Sequence, residues 1–220
     1  YPDVAAFSER FLQLGAHGIT LHPRPDQRHA RYSDAHELKA LCDRYGAELN
    51  IEGNPTREFL DVVLAVKPAQ CTLVPDDPNQ VTSDHGWDLD KNAAFLREVC
   101  TELKAAGIRV SLFVDYDCPN IALAKELGAD RVELYTEPYA ETYGTPQNDA
   151  ILAQFGQAAM AAQAAGLGVN AGHDLNLDNL AKFIALPNIL EVSIGHALIV
   201  ECLELGMEKT MMGYMRIISF

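Results

Sequence analysis

The 220 residues carry 48% hydrophobic and 22% charged side chains, the balance of an ordinary folded chain of one domain, which excludes disorder, collagen-like repeats and a disulfide-dense mini-protein. The 31 acidic and 17 basic residues give a net charge of −14. That argues against general binding to nucleic acid or to anionic membranes, and any phosphate site must be built locally against the overall field.

Taken in chain order, short β-rich runs alternate with longer amphipathic stretches. The chain opens on a helical pattern over residues 4–16, followed by a strand at Gly18–His22. Asp34 and Glu37 make a capping-box-like pair ahead of a helix that Gly46 stops. The strand Glu48–Asn54 follows; Asn54 then caps a helix with Pro55 in its first turn, and Lys67-Pro68 ends it. After the strand Gln70–Pro75 comes a long connection, Asp76–Asp90, which holds the sole tryptophan, Trp87. Gly107, Gly128 and Gly166 each close a helix just before the strands Arg109–Asp115, Arg131–Thr136 and Gly168–His173. A second long connection, Glu137–Asn148, carries Tyr139 and Tyr143. Loops of that length after barrel strands read equally well as functional lids or as surface excursions. The strand Ile189–His196 is last. A terminal helix then presents Met207, Met211, Met212 and Met215, a packing or oligomer face.

The segments LGAHGITL, AAGIRVSL, LGADRVEL and AAGLGVNA repeat one pattern of helix end, glycine and strand. Strands alternating with helices every 25–35 residues or so define a parallel α/β fold. Seven such units favour a (β/α)8 TIM barrel with extra helices, as one domain over residues 1–220, over a doubly wound sheet. The count is one strand short, and a helix precedes the first strand. The expectation is that this numbering starts inside a longer protein, or that the first strand is missing from this chain. The five cysteines (Cys42, Cys71, Cys100, Cys118, Cys202) are odd in number, scattered and lack a CxxC. They read as reduced thiols of a cytoplasmic protein.

His22, Glu52, Asp115, Glu133, His173 and His196 fall at or near the C-terminal ends of six different strands, where barrel enzymes keep their catalytic groups. Six ionisable groups at one rim are hard to explain by packing, since unpaired buried charge is costly. Glu52, among apolar neighbours in LNIEGNP, suits a general acid or base. Glu133 in RVELYT reads almost equally as a carboxylate paired inside the barrel. The stretch from His22 to Arg31 is the main cationic cluster, stiffened by prolines, and its arginines suit a phosphate. Ser193-Ile194-Gly195-His196 at the last strand-to-helix turn, beside Asn170-Ala171-Gly172-His173, matches a late-strand phosphate corner. Gly166–Ala171 imitates a dinucleotide fingerprint but precedes its strand. Walker, GxSxG and HExxH motifs are absent.

The motifs GITLHPRPDQRH, LNIEGNPT, KPAQCTLVPDDPNQVTSDHGWD, GIRVSLFVD, GADRVELYT, GLGVNAGHDLN and EVSIGHALI cover nearly the whole chain. Together they resemble the pyridoxine 5′-phosphate synthase family of deoxyxylulose-dependent vitamin B6 biosynthesis. The resemblance implies a (β/α)8 barrel and a homo-octamer. It implies condensation of 3-amino-2-oxopropyl phosphate with 1-deoxy-D-xylulose 5-phosphate to pyridoxine 5′-phosphate, phosphate and water, with no metal or organic cofactor. By the same resemblance His22 and Glu52 are proton acceptors, His173 is the proton donor and Glu133 stabilises a transition state. Arg24, His29 and Thr82 would contact deoxyxylulose phosphate, while Asp174, Gly195 and His196 would contact the aminooxopropyl phosphate. The chain departs from the pattern in two places. An Asn, an Asp-His pair and an Arg on the family's first strand have no counterpart here, and Asp174 stands where some members have Gly.

Two other readings compete. A divalent-metal sugar-isomerase-like barrel would use Glu52, Asp115, Glu133 and His173 as ligands. A non-catalytic phosphate-binding scaffold would result from loss of the first strand.

Overall fold

The computed structural model describes residues 3–77, 80 and 82–219. A helix α1 (Val4–Gln13) is followed by β1 (Gly18–Leu21), α2 (Tyr32–Tyr45), β2 (Glu48–Gly53), α3 (Arg57–Val66) and β3 (Gln70–Leu73). Next come α4 (Ala93–Ala105), β4 (Arg109–Val114), α5 (Leu123–Glu126), β5 (Arg131–Tyr135), α6 (Glu137–Thr142) and α7 (Asn148–Ala164). The chain continues through β6 (Gly168–Gly172), α8 (Leu180–Phe183), β7 (Ile189–Ser193), α9 (His196–Leu205) and α10 (Met207–Ile218). The seven strands are all parallel and lie side by side in chain order. No ladder joins β1 to β7 among the described residues, but Thr20 Oγ1 and Ser193 Oγ face each other across that seam at 3.4 Å. The result is a nearly closed barrel of seven strands ringed by helices.

The strands alternate strictly between two faces. Leu49 and Ile51, Cys71 and Leu73, Val110, Leu112 and Val114, Val132 and Leu134, and Val169 and Ala171 point outward into one continuous apolar core shared with the helices. The intervening residues point inward and are mostly polar: Asn50 and Glu52, Gln70 and Thr72, Ser111, Glu133, and Asn170 are all buried, with the Phe113 ring beside them. A barrel interior is usually filled by branched aliphatic side chains. Here the aliphatics hold the helices and the lumen is given to hydrogen-bonding groups.

Every predicted strand forms, but each ends one to three residues early. His22, Asp115 and His173 are the first residues past β1, β4 and β6, and His196 opens α9. Leaving the ladder frees these side chains to turn over the mouth. Two helix starts differ from expectation. Asp34 is the third residue of α2, its carboxylate accepting from the Arg31 amide at 2.9 Å, so the cap lies upstream of the predicted pair. Thr56, not Asn54, caps α3 through its hydroxyl and the Phe59 amide. Gly46, Gly107, Gly128 and Gly166 end their helices at positive φ, as expected.

Neither long connection is a simple loop. Residues 137–148 fold into α6 and the start of α7, with Tyr139 fully buried and its hydroxyl donating to the Asn179 carbonyl at 2.7 Å. Tyr143 donates to the Asp178 carbonyl. This correction follows from hydrogen-bonding groups on α8's approach that only the tertiary fold brings near. In the 76–90 connection Trp87 is buried, its indole N–H donating to the Leu73 carbonyl at 2.9 Å. Gly86 crosses so close to the Val114–Asp115 backbone that a β-carbon there would collide with it. This second half of the connection is stapled to the barrel. The methionine helix packs: Met211 is buried and Met215 lies against Gly15, while Met212 faces outward.

Candidate active site

Four strand ends bring the central groups together. His22, just past β1, sits between two carboxylates, with Nδ1 4.0 Å from Glu52 Oε2 and Nε2 3.9 Å from Asp76 Oδ2. These gaps exceed a hydrogen bond, so the imidazole is held near both anions without being committed to either. Burial lowers its pKa to about 4, with Arg24 pushing the same way and Asp76 opposing. The imidazole is therefore neutral at pH 7 and free to accept a proton. Glu52 lies on the inner face of β2, accepts a hydrogen bond from Asn50 Nδ2 at 3.1 Å, and has no cation beside it. Burial, helped by the negative charge of Glu191, raises it to about 7. A carboxyl at that value both gives and takes protons at neutral pH.

Glu133, on the inner face of β5, is buried and pushed well above the carboxylate range by desolvation and by the charge of Glu52. Its protonated form, with an O–H to donate, is favoured relative to an ordinary carboxyl. Asn50 and Thr72 lie between the two acids: the Thr72 hydroxyl donates to Asn50 Oδ1 at 3.1 Å and stands 3.5 Å from Glu133 Oε2. A β-carbon at Gly172 would strike the Glu133 carboxyl, which is why the neighbouring strand carries glycine there.

His173 sits on a strained turn. It and Asp174 have φ of 89° and 57°, in the left-handed region that non-glycine residues seldom adopt. The buried Thr136 hydroxyl clamps this turn by donating to the carbonyls of Gly172 and His173. The His173 ring packs against Phe113 and Tyr135, with centroids 5.5 and 5.2 Å away. Burial lowers the His173 pKa, opposed by Asp174, Asp76 and Glu137.

The two flanks of the mouth differ. Arg24 is buried and its guanidinium donates to Asp76 Oδ2 at 2.8 Å and to the Gln80 carbonyl at 3.3 Å. His29 is exposed beside Arg28, and Thr82 is exposed on the connection after β3. Together with Tyr32, Asn54 and Thr56, His22 and Arg24 line a cleft between the loops after β1, β2 and β3. On the opposite flank, Gly195 precedes the N-terminus of α9, where no side chain caps the free amides. His196 is exposed there, near enough for its charge to act on His173, and Asp174 is exposed next to His173.

Asp115 does not join the cluster. Both its oxygens accept from the Gly86 amide, at 3.0 and 3.1 Å, so it anchors the connection after β3. The four ligands of the metal-barrel alternative do not converge: among the described residues, no group of three His, Cys, Asp or Glu side chains could hold a metal ion. All five cysteines are free thiols.

Four contributors escaped the sequence reading. Asp76 lies one residue beyond the predicted end of its strand, and one further step of the strand-end argument reaches it. Asn50 and Thr72 alternate with apolar residues on their strands, a period-two signal that marks the lumen. Thr136 has no signal in the sequence, since its role depends on β6 lying alongside β5.

A parallel barrel whose mouth holds buried imidazoles lowered in proton affinity and buried carboxyls raised in it is the architecture of an acid–base barrel enzyme. Thiamine phosphate pyrophosphorylase from Pyrococcus furiosus has the same fold, with a TM-score of 0.66 over 99% of this chain and 90% of that one at 16% identity. A phosphoribosylanthranilate isomerase from Thermotoga maritima aligns with a TM-score of 0.60 over 97% and 93% of the two chains at 13% identity. The chain belongs to the pyridoxal phosphate biosynthesis protein PdxJ family, whose model matches residues 1–219. It is 53% identical over 216 residues to pyridoxine 5′-phosphate synthase of Agrobacterium fabrum, covering 96% of this chain and 86% of that protein. It is also 50% identical over 226 residues to the synthase of Xanthomonas campestris pv. campestris, covering 99% and 88%.

Proposed function

We propose that this chain is a pyridoxine 5′-phosphate synthase, joining 3-amino-2-oxopropyl phosphate to 1-deoxy-D-xylulose 5-phosphate with release of phosphate and water. The observation that supports this reading most directly is the placement of His22, Glu52, Glu133 and His173 in one mouth with their proton affinities pushed apart. Imine formation, phosphate loss, ring closure and dehydration each move protons, and no single group has the right affinity for all of them. Neutral His22 serves as one acceptor. Glu52, balanced near pH 7, accepts a proton in one step and returns it in another. Glu133, whose carboxyl burial pushes upward in proton affinity, donates a hydrogen bond to negative charge developing on oxygen, the role of a transition-state stabiliser. His173 is the proton donor, its ring fixed by Phe113, Tyr135 and the Thr136 clamp.

Arg24, His29 and Thr82 hold deoxyxylulose phosphate. Asp174 through its backbone, Gly195 and His196 hold the aminooxopropyl phosphate at the free amides of α9. The chemistry runs on these side chains, without a metal or an organic cofactor. The subunits associate as a homo-octamer in the cytoplasm; association as such is supported by α9, which buries none of its residues and exposes Ile199, Val200 and Leu203. No helix among the described residues is long and apolar enough to cross a membrane.

Incubation with both phosphorylated substrates, with and without a chelator, tests the reading. Pyridoxine 5′-phosphate detected by mass spectrometry, with equimolar phosphate release and indifference to chelation, is the expected result. Absence of product would overturn it, and loss of product on chelation would return the metal-barrel alternative.

A further inference from the structure

Asp76 is buried to 3% exposure at the mouth, yet among the described residues only one of its two oxygens has partners. Oδ2 accepts from Arg24 at 2.8 Å and from the Ser83 hydroxyl at 2.7 Å, and stands 3.9 Å from His22 Nε2. Oδ1 is buried without a partner. The backbone carbonyl of the same residue accepts from Asn54 Nδ2 at 2.9 Å. Asp76 thus ties together the connections after β1, β2 and β3 from a single position. A fully buried carboxylate left half-satisfied is costly to keep for packing alone.

We infer that Asp76 is a positioning residue of this reaction, holding the Arg24 guanidinium in place for the substrate phosphate and setting a negative charge beside the His22 ring. The inference rests on the reading of Arg24 as a deoxyxylulose phosphate contact. Arg24 has one buried anion to orient it, and without that anion the guanidinium would be an uncompensated buried charge. The charged and titratable groups facing His22 are Arg24 and His29 from its own loop, Glu52 from β2, Asp76 after β3 and His173 after β6. Among these, Asp76 opposes the lowering of the imidazole by burial and by Arg24, and it also acts on Glu52 and His173. The charge of one carboxylate therefore acts on all three groups assigned to proton transfer.

The test compares Asp76→Asn and Ser83→Ala with the wild-type chain by steady-state kinetics and by NMR titration of the His22 ring. Asp76→Asn should raise KM for deoxyxylulose phosphate about ten- to a hundredfold, the span expected for a lost charge-assisted hydrogen bond. KM for the second substrate should change far less, and the His22 midpoint should fall. Ser83→Ala keeps the charge while loosening the carboxylate. It should raise the same KM by roughly fivefold with kcat retained. If Asp76→Asn does not yield folded protein, an unaltered KM in Ser83→Ala overturns the inference. A folded Asp76→Asn with a lower Tm but unchanged KM and unchanged His22 midpoint overturns it as well, leaving only a structural role. The NMR titration needs no turnover. A wild-type chain that makes no pyridoxine phosphate would therefore fail the reaction assignment, while the His22 shift would still decide the role of Asp76.

Discussion

The two ends of the barrel lumen hold the same kinds of side chain and treat them in opposite ways. At the amino end, where the strands begin, the charges are paired. Arg109 binds Glu48 and Gln70, Arg131 donates to Glu191 at 2.8 Å and to Asn170 at 3.0 Å, and Gln70 Nε2 reaches Glu191 Oε1 at 3.2 Å. Two guanidiniums there face two carboxylates, and Glu48 is held below the usual carboxylate range by its hydrogen bonds to Arg109. At the carboxyl end, among the described residues, Glu52 and Glu133 have no cation, His22 is kept neutral, and the buried guanidinium of Arg24 is already matched by Asp76. Paired charges are content at fixed protonation and so hold the barrel floor together. Unpaired ones are left close to the point of changing protonation, which costs stability and suits proton transfer.

Three substitutions sharpen or break this contrast, taken from the largest expected effect. Glu52→Gln should reduce kcat by about 10² to 10⁴, the usual span for losing a general acid–base group. It should also stabilise the fold at alkaline pH. The Glu52 carboxyl titrates near 4.5 when unfolded and at about 7 in the fold. Between those values the folded chain keeps a proton that the unfolded chain has released, so stability falls as pH rises through the window. The substitution removes that loss, of the order of 3 kcal/mol above pH 7 and little near pH 5. Denaturation midpoints at the two pH values check it, and a gain that is the same at both would contradict the assigned shift.

At the other end, Arg131→Met should leave Glu191 with the Gln70 amide and the more distant Arg109, at 3.8 Å. The expected cost is about 2 kcal/mol of stability, measured by urea denaturation, with KM for both substrates within about twofold of wild type. A variant as stable as wild type would show that the floor network is not what holds the barrel. The smallest effect is expected for Thr136→Val, which removes the clamp on the His173 turn. Stability should drop by about 1 kcal/mol and kcat by roughly tenfold, with substrate KM values retained. An unchanged kcat would mean that the backbone strain at His173 and Asp174 is held by the strands alone.

The seven strands, their order and the rim position of His22, Glu52, Glu133 and His173 were legible in the sequence. They depend on local signals: β-rich runs too short for helices, glycines that stop helices at positive φ, and polar residues where runs end. What was not legible depended on neighbours distant in the chain. Asp115 reads like the other rim residues, and only the path of the connection after β3 gives it the Gly86 amide to bind. Tyr139 reads as a loop residue until α8 is packed against it. The pairing state of the lumen is decided in the same way, since Glu48 and Glu52 are four residues apart on one strand and differ in burial and in whether an arginine from another strand reaches them. Sequence fixes which groups face inward, because alternation along a strand is a property of the backbone. Their proton affinities arise from burial and from charges on other strands, and those exist only once the barrel has folded.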